Sequence, residues 1–143
     1  MILFVCTGNT CRSPMAEAIY KNITGLDAES AGLSAPYKGK ASDNSIAVME
    51  KRGIDIKNHE ARQIDFIMLE KAEAVITMTE AHRAMLLYSA PEYAGKIFTL
   101  YEWAGKSGDV ADPFGRSEEV YEKCADELEE LIREGIKLQE GTL

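Results

Sequence analysis

The first fourteen residues limit the fold of this chain more than any other segment. Residues 1–5 read MILFV, a continuous apolar run that is typical of a short buried strand. Cys6 ends this run, and the Gly-Asn pair at 8–9 supplies the residue types that best tolerate a positive φ. The Ser-Pro pair at 13–14 is typical of a helix start, with serine as the N-cap. The segment therefore predicts a strand, a tight loop and a helix in direct succession.

The Cys6 loop, residues 6–13, has the chemistry of an oxyanion site. Loop N–H groups and a helix N-terminus converge on one point, as binding of a tetrahedral anion requires. We expect Cys6 at that point, where the helix and a nearby cation favour the ionised, nucleophilic thiol. Arg12 offers a planar fork for two phosphate oxygens, and Ser13 is expected to hydrogen-bond the thiolate, to cap the helix, or to do both. A structural cysteine beside a structural arginine is the alternative, but the full context favours an active loop.

Composition narrows the class of protein. A chain of 143 residues predicts one domain over residues 1–143, with a single substantial core. The formal net charge of −8 argues against nucleic acid or an anionic membrane as partners, so attraction for a phosphate must be local. No apolar segment approaches a membrane span, and the N-terminus lacks a signal-peptide layout. Three cysteines do not suggest a secreted disulfide framework, so we expect the reducing cytoplasm.

Strand and helix patterns alternate along the chain. After the first strand, apolar runs predict three more strands at 28–34, 72–78 and 96–100. Helical patterns cover residues 14–22, 40–52, 65–71, 79–87 and 117–138, and Thr79 is the expected cap of the fourth helix. This alternation predicts an α/β fold with a parallel sheet covered on both faces. Ligands bind at the carboxyl ends of strands in such sheets, where the Cys6 loop lies.

A second candidate element is the Asp112 loop, residues 108–115, which reads GDVADPFG. Asp112 precedes Pro113, which holds it in an extended conformation away from helix. Phosphoryl transfer to Cys6 needs a proton donor for the leaving group, and the same group can then activate water. Asp112 suits both steps, Asp109 is the rival acid, and an ordinary turn aspartate is the alternative.

These motifs resemble one known family. The segment CTGNTCRSPMAE at 6–17 resembles the phosphate-binding loop of the low-molecular-weight protein tyrosine phosphatases. The segment DPF at 112–114 resembles their general-acid loop, and similarity extends over HEARQ at 59–63 and ITMT at 76–79. The resemblance covers essentially the whole chain. It implies a four-stranded parallel sheet flanked by helices, and a cysteinyl-phosphate intermediate.

The resemblance also implies roles for individual residues. Cys6 would be the nucleophile, Arg12 the phosphate clamp and Asp112 the general acid and base. Phosphorylated proteins would be the substrates and inorganic phosphate the product, and neither a cofactor nor a metal is implied. The residues expected at the substrate are Thr7, Gly8, Asn9, Thr10, Cys11, Ser13 and Phe114. Among these, Asn9 and Ser13 would hold the loop and the thiolate.

Two positions depart from the tyrosine-directed members. Thr10 stands where they usually carry a branched aliphatic residue, and Phe114 is followed by Gly115 where they commonly have aromatic residues. Both features resemble the bacterial protein arginine phosphatases of this family. The Thr10 hydroxyl can accept a hydrogen bond from a guanidinium N–H, whereas a phenyl ring offers it no partner. A buried hydroxyl that is left unpaired costs roughly 1–3 kcal/mol. We therefore expect a phosphatase that prefers phosphoarginine in proteins and hydrolyses phosphotyrosine more weakly. The alternative is a low-molecular-weight protein tyrosine phosphatase.

Two other functions compete. A thioredoxin-coupled arsenate reductase resembles this chain in the first loop, but it needs further cysteines after the central strand, and residues 79–93 contain none. A non-catalytic phosphate-binding module predicts a missing nucleophile or acid, whereas Cys6 and Asp112 are both present.

Further cysteines and histidines carry weaker expectations. For Cys11 the resemblance suggests a reversible disulfide with Cys6, and a small buried side chain is the alternative. Cys124 falls on the apolar face of the last helix and is expected in the core. His59 and His82 show no metal-ligand spacing and are expected at the surface.

Overall fold

Four parallel strands form the sheet at the centre of the molecule, as the alternating pattern predicts. In the computed structural model, which describes residues 1–141, they are β1 (Ile2–Cys6), β2 (Ala28–Gly32), β3 (Ala74–Thr77) and β4 (Ile97–Thr99). Their order in the sheet is β2-β1-β3-β4, and every neighbouring pair is parallel. The predicted α/β class and four-stranded parallel sheet are confirmed.

Helices cover both faces of this sheet. They are α1 (Arg12–Thr24), α2 (Asp43–Lys51), α3 (Phe66–Lys71), α4 (Glu80–Ser89), α5 (Leu100–Trp103) and α6 (Glu118–Gly141), with a 3-10 helix at Pro91–Lys96. Phe4 of β1 packs into the core that α1, α2 and α6 share, whereas Leu3 and Val5 face the core under α3 and α4. All three side chains are fully buried, so a central strand with two covered faces explains the unbroken apolar run. Within residues 1–141, no helix is long and apolar enough to cross a bilayer.

The start of α1 differs from the prediction. The helix begins at Arg12 rather than Pro14, and its N-cap residue is Cys11, which makes no side-chain capping hydrogen bond. The prediction of Ser13 as N-cap is therefore wrong, because its hydroxyl is used inside the Cys6 loop. The N-cap of α4 is confirmed, since the Thr79 hydroxyl accepts a hydrogen bond from the His82 amide at 3.1 Å.

A glycine lets α6 approach α5 closely. Trp103 of α5 is 7% exposed, and it packs where Gly135 passes in α6. A Cβ added to Gly135 would lie 2.1 Å from Cε3 of Trp103, well inside contact distance. The indole occupies the space that any larger residue at 135 would need.

We expect Gly135→Ala to lower the free energy of unfolding by about 1–3 kcal/mol, because overpacking outweighs the better helix propensity of alanine. Urea unfolding measures the change. Gly141→Ala is the matched control in the same helix, since, apart from its own turn of helix, no atom of residues 1–141 lies within 4 Å of its added Cβ. A Gly135→Ala variant as stable as Gly141→Ala would contradict this packing.

Candidate active site

The Cys6 loop and the Asp112 loop meet around one cavity of about 340 Å³ at the carboxyl end of β1. Its lining residues are Cys6, Thr7, Gly8, Thr10, Cys11, Arg12, Pro36, Asp112 and Phe114. Eight of these come from the two loops that the sequence singled out, and Pro36 adds a wall from the segment after β2. A parallel sheet offers its ligand site at this edge, so topology and chemistry point to the same place.

Asn9 holds the shape of the Cys6 loop. Its backbone has φ 58°, a left-handed conformation that asparagine tolerates, and its side chain is fully buried. The amide Nδ2 donates to Ser13 Oγ at 2.8 Å, and Oδ1 accepts from the Arg62 N–H at 2.9 Å. His59 Nε2 lies 2.8 Å from the Asn9 carbonyl oxygen. Asn9 therefore supports the loop from behind and is not among the residues that line the cavity.

Ser13 links this support to the nucleophile candidate. Its Oγ lies 2.9 Å from Cys6 Sγ, and both residues are buried. Because the Asn9 amide already donates to Oγ, the hydroxyl hydrogen of Ser13 is free to point at the sulfur. The chain of hydrogen bonds therefore runs from Asn9 through Ser13 to Cys6, and it ends on a donor that stabilises a negative sulfur.

The close approach of β2 to the Cys6 loop depends on Gly32. A Cβ at Gly32 would lie 2.6 Å from the carbonyl oxygen of Thr7. The same stretch of chain donates two backbone hydrogen bonds to the loop, from Leu33 to Cys6 at 3.0 Å and from Ser34 to Thr7 at 2.9 Å. Sequence analysis missed this glycine, since nothing local in the sequence indicates which backbone it meets.

Arg12 is 4% exposed and joins the two loops. Its Nη1 donates to the Val110 carbonyl at 2.9 Å, and Nη2 lies 3.6 Å from Asp112 Oδ2. Its buried Nε has no hydrogen-bond partner among residues 1–141. An unpaired buried donor on a guanidinium is costly, and an oxyanion in the cavity is the group that would satisfy it.

The two candidate acids have different surroundings. Asp112 is half exposed, lines the cavity, and accepts from the Phe114 N–H at 3.1 Å. Asp109 instead accepts from the Glu80 N–H at 2.8 Å, at the first residue of α4. Only the carboxylate of Asp112 therefore faces the cysteine and the arginine across the cavity.

Thr10 and Cys11 are held from the side of α2. The Thr10 carbonyl accepts from the Ser42 N–H at 2.8 Å, which fixes this residue at the cavity wall. Cys11 Sγ donates to Ser42 Oγ at 3.4 Å and lies 3.2 Å from the Tyr121 hydroxyl. Burial and the contact with Cys11 raise the pKa of Tyr121 to about 12. Cys6 and Cys11 are free thiols in this structure.

Both histidines support the Cys6 loop, which the sequence analysis missed. The surface prediction is wrong for His82, which is 6% exposed, with Nε2 lying 2.8 Å from Thr7 Oγ1. His59 is half-buried against Asn9. The only local signal for His82 was its position three residues after the Thr79 cap, at the sheet edge that carries Cys6.

His82 is a neutral imidazole at physiological pH. Burial is the main cause that lowers its pKa from 6.5 to about 4, and the positive charge of Arg12 adds to the effect. Asp109 and Asp112 act in the opposite direction without cancelling it. A neutral ring next to Arg12 avoids a second buried positive charge.

Cys124 lies in the core, as predicted, with 6% of its surface exposed. It belongs to the buried face of α6. Burial raises the pKa of its thiol to about 12, so it stays protonated at neutral pH.

Comparison with known proteins identifies the family of the chain. Residues 1–139 match the family described as low molecular weight phosphotyrosine protein phosphatase. The chain belongs to this family. A curated relative named protein-arginine-phosphatase, from Geobacillus stearothermophilus, is 44% identical over 142 residues, or 96% of this chain and 95% of the relative. This family member is accordingly a cysteine-dependent protein phosphatase.

Two solved structures have the same fold. A C-to-S mutant of the YwlE arginine phosphatase with a phosphorylated active-site serine has a TM-score of 0.92 and 40% identity, covering 96% of this chain and 95% of that one. A low molecular weight protein tyrosine phosphatase from T. tengcongensis has a TM-score of 0.91 and 46% identity, covering 95% and 97%. Overall similarity therefore does not by itself separate the two substrate classes.

His82 should make the fold sensitive to acid. Its folded pKa of about 4 lies below the ordinary 6.5, so between these values only the unfolded chain binds its proton. Stability attributable to this residue therefore falls as the pH drops from about 6.5 to about 4, by about 2–3 kcal/mol. Urea unfolding of the wild type and His82→Gln across this range measures it, and the variant should show the weaker dependence. Equal pH dependence in both proteins would contradict the burial of a neutral ring.

Proposed function

We propose that this phosphatase hydrolyses phosphoarginine in proteins through a phosphorylated Cys6, with Arg12 as the clamp and Asp112 as acid and base. The observation that carries the proposal is the shared cavity, where the thiol, the guanidinium and the carboxylate face one another. A buried thiol with a hydroxyl donor at 2.9 Å, opposite a buried arginine with an unpaired Nε, suits transfer of a phosphoryl group.

In the first step, Cys6 Sγ attacks phosphorus in line with the leaving group. The S–P bond forms while the P–N bond to the substrate guanidine breaks. Arg12 and the loop N–H groups hold the non-bridging oxygens, whose charge persists through transfer. Asp112 gives its proton to the departing nitrogen, so the arginine leaves as a neutral or protonated guanidine rather than an anion.

In the second step, the Asp112 carboxylate takes a proton from a water molecule on the side that the arginine has vacated. The water oxygen attacks phosphorus and the S–P bond breaks, which releases inorganic phosphate and a Cys6 thiolate. The Ser13 hydroxyl, 2.9 Å from this sulfur, stabilises the thiolate as it leaves. Asp112 is reprotonated for the next cycle by this exchange.

Two residues of the cavity wall favour phosphoarginine as the substrate. The Thr10 side chain lines the cavity, and its hydroxyl can accept an N–H of a planar guanidine. Phe114 also lines the cavity and is 71% exposed, and it is followed by Gly115 instead of a second aromatic residue. The relative named protein-arginine-phosphatase supports the same choice. Phosphotyrosine is the second candidate, supported by the tyrosine phosphatase of equal overall similarity.

The rival functions lack support in the described residues. Reduction of arsenate would need further thiols after the central strand to carry the oxidation away from Cys6, but residues 79–93 contain none, and Cys124 is buried on α6 with a raised pKa. A binding module without turnover would leave the Asp112 carboxylate at the cavity without a role. Phosphorylated proteins as substrates, no nucleic-acid partner and action in the reducing cytoplasm complete the proposal, consistent with the net charge of −8 and the free thiols.

We expect Cys6→Ser to lose turnover of a chromogenic phosphate ester while still binding inorganic phosphate, because Arg12 and the loop N–H groups remain.

Asp112→Asn should lower kcat about 10²–10⁴-fold, the usual contribution of general acid–base catalysis. Asp109→Asn is the matched control, since its amide oxygen can still accept from Glu80, and it should change kcat less than tenfold. Equal losses in the two aspartate variants would overturn the assignment of the acid.

Thr10→Val tests the substrate class, because it removes the hydroxyl and keeps the branched shape. The ratio of kcat/KM for a phosphoarginine peptide over a phosphotyrosine peptide should fall about tenfold or more. Thr10→Ser keeps the hydroxyl and should retain the wild-type ratio. An unchanged ratio in Thr10→Val would contradict the proposed role of Thr10 in phosphoarginine preference. It would not contradict the phosphatase activity.

A further inference from the structure

His82 and Thr7 form a pair outside the catalytic roles proposed above. Thr7 is exposed and lines the cavity, and its Oγ1 lies 2.8 Å from Nε2 of a histidine 75 residues away in the chain. The other ring nitrogen, Nδ1, is buried and finds no partner within the described part of the chain. The ring therefore makes one side-chain hydrogen bond, and that bond is to the Cys6 loop.

This asymmetry decides which nitrogen carries the proton. A buried N–H without an acceptor costs more than a bare ring nitrogen in the same place, because the stronger dipole loses its water. The neutral ring therefore keeps its hydrogen on Nε2 and donates it to Thr7 Oγ1. Since the oxygen of Thr7 already accepts this bond, its own hydroxyl hydrogen is left to point elsewhere.

We infer that His82 is a positioning residue that orients the Thr7 hydroxyl as a hydrogen-bond donor to the phosphoryl group in the cavity. The inference deepens the proposed function and rests on it. Thr7 then supplements the loop N–H groups and Arg12 with a directed neutral donor. His82 does not touch the substrate and acts only through Thr7.

The first turn of α4 is a suitable place for such a residue, because it is tied to both loops. The His82 N–H donates to the hydroxyl of the Thr79 cap at 3.1 Å. The Glu80 N–H donates to the Asp109 carboxylate, in the Asp112 loop, at 2.8 Å. Just before this turn, the Met78 carbonyl accepts from Val110 at 2.9 Å. The ring is thus held against the Cys6 loop by the same segment that holds the Asp112 loop.

Charge also favours a neutral ring in this position. The groups that act on His82 are Arg12, which opposes its protonation, and Asp109 and Asp112, which favour it. Burial adds to the effect of Arg12 and keeps the pKa near 4. A neutral Nε2–H donor therefore persists over the whole range in which a cytoplasmic enzyme works.

The tautomer can be read directly in the wild-type protein. Two-dimensional ¹⁵N–¹H NMR of histidine side chains at neutral pH should show His82 in the Nε2–H form. Detection of the Nδ1–H form would overturn the inference, because Thr7 would then donate to the ring and could not donate into the cavity. This readout needs no variant of His82 and no turnover.

Kinetics tests whether the pair acts on the phosphoryl group. Thr7→Val should raise the inhibition constant of inorganic phosphate and the KM of p-nitrophenyl phosphate about tenfold, with kcat changed less than about threefold. His82→Leu should reproduce this pattern, and the double variant should be no worse than either single variant. His82→Gln, whose amide nitrogen can replace Nε2–H, should stay within about threefold of wild type.

Failure of this inference can be distinguished from failure of the proposed function. Wild-type protein without turnover or phosphate binding would remove the proposed function itself. An active wild type in which Thr7→Val leaves the phosphate inhibition constant unchanged would overturn only the role of the pair. The same holds if losses in the double variant multiply, since His82 would then act independently of Thr7.

Discussion

The buried amide of Asn9 is the constraint on which the site depends. The residue adopts a left-handed backbone conformation with a fully buried side chain, and each polar atom of that amide finds a partner. One of those bonds occupies a lone pair of the Ser13 oxygen, which lies 2.9 Å from Cys6 Sγ and donates its hydrogen to the sulfur when the thiol is ionised. Without this amide, the loop would lose the two side-chain hydrogen bonds that hold its curvature and that fix the Ser13 hydroxyl beside the sulfur.

Val110 connects this loop to the Asp112 loop. It is fully buried, its carbonyl accepts from Arg12, and its N–H donates to Met78 after β3. Arg12, the Asp112 loop and the sheet are therefore joined through one backbone unit. This arrangement concentrates donors for an anion in a chain whose net charge is −8, because attraction depends on local geometry rather than on total charge.

Local patterns in the sequence predicted much of the fold, and long-range contacts account for most of what they missed. The apolar run of β1 and the Thr79 cap depend on neighbours within a few residues, and both are confirmed. The expectation that Ser13 caps α1 was wrong, because serine suits a helix cap and a buried hydrogen-bond chain equally well; its other expected role, the hydrogen bond with Cys6, is present. His82 and Gly32 were missed because their partners lie at Thr7, far away in the chain, and no periodicity encodes such a meeting.

The central claim is that the sulfur of Cys6 itself becomes phosphorylated during turnover. Rapid acid quench of the wild-type enzyme in the steady state, followed by proteolysis and mass spectrometry, tests it most directly. We expect one added phosphoryl group on the peptide that contains Cys6, localised to the sulfur by fragmentation. Rapid turnover with no phosphorylated peptide, or with the phosphoryl group on another residue, would contradict it.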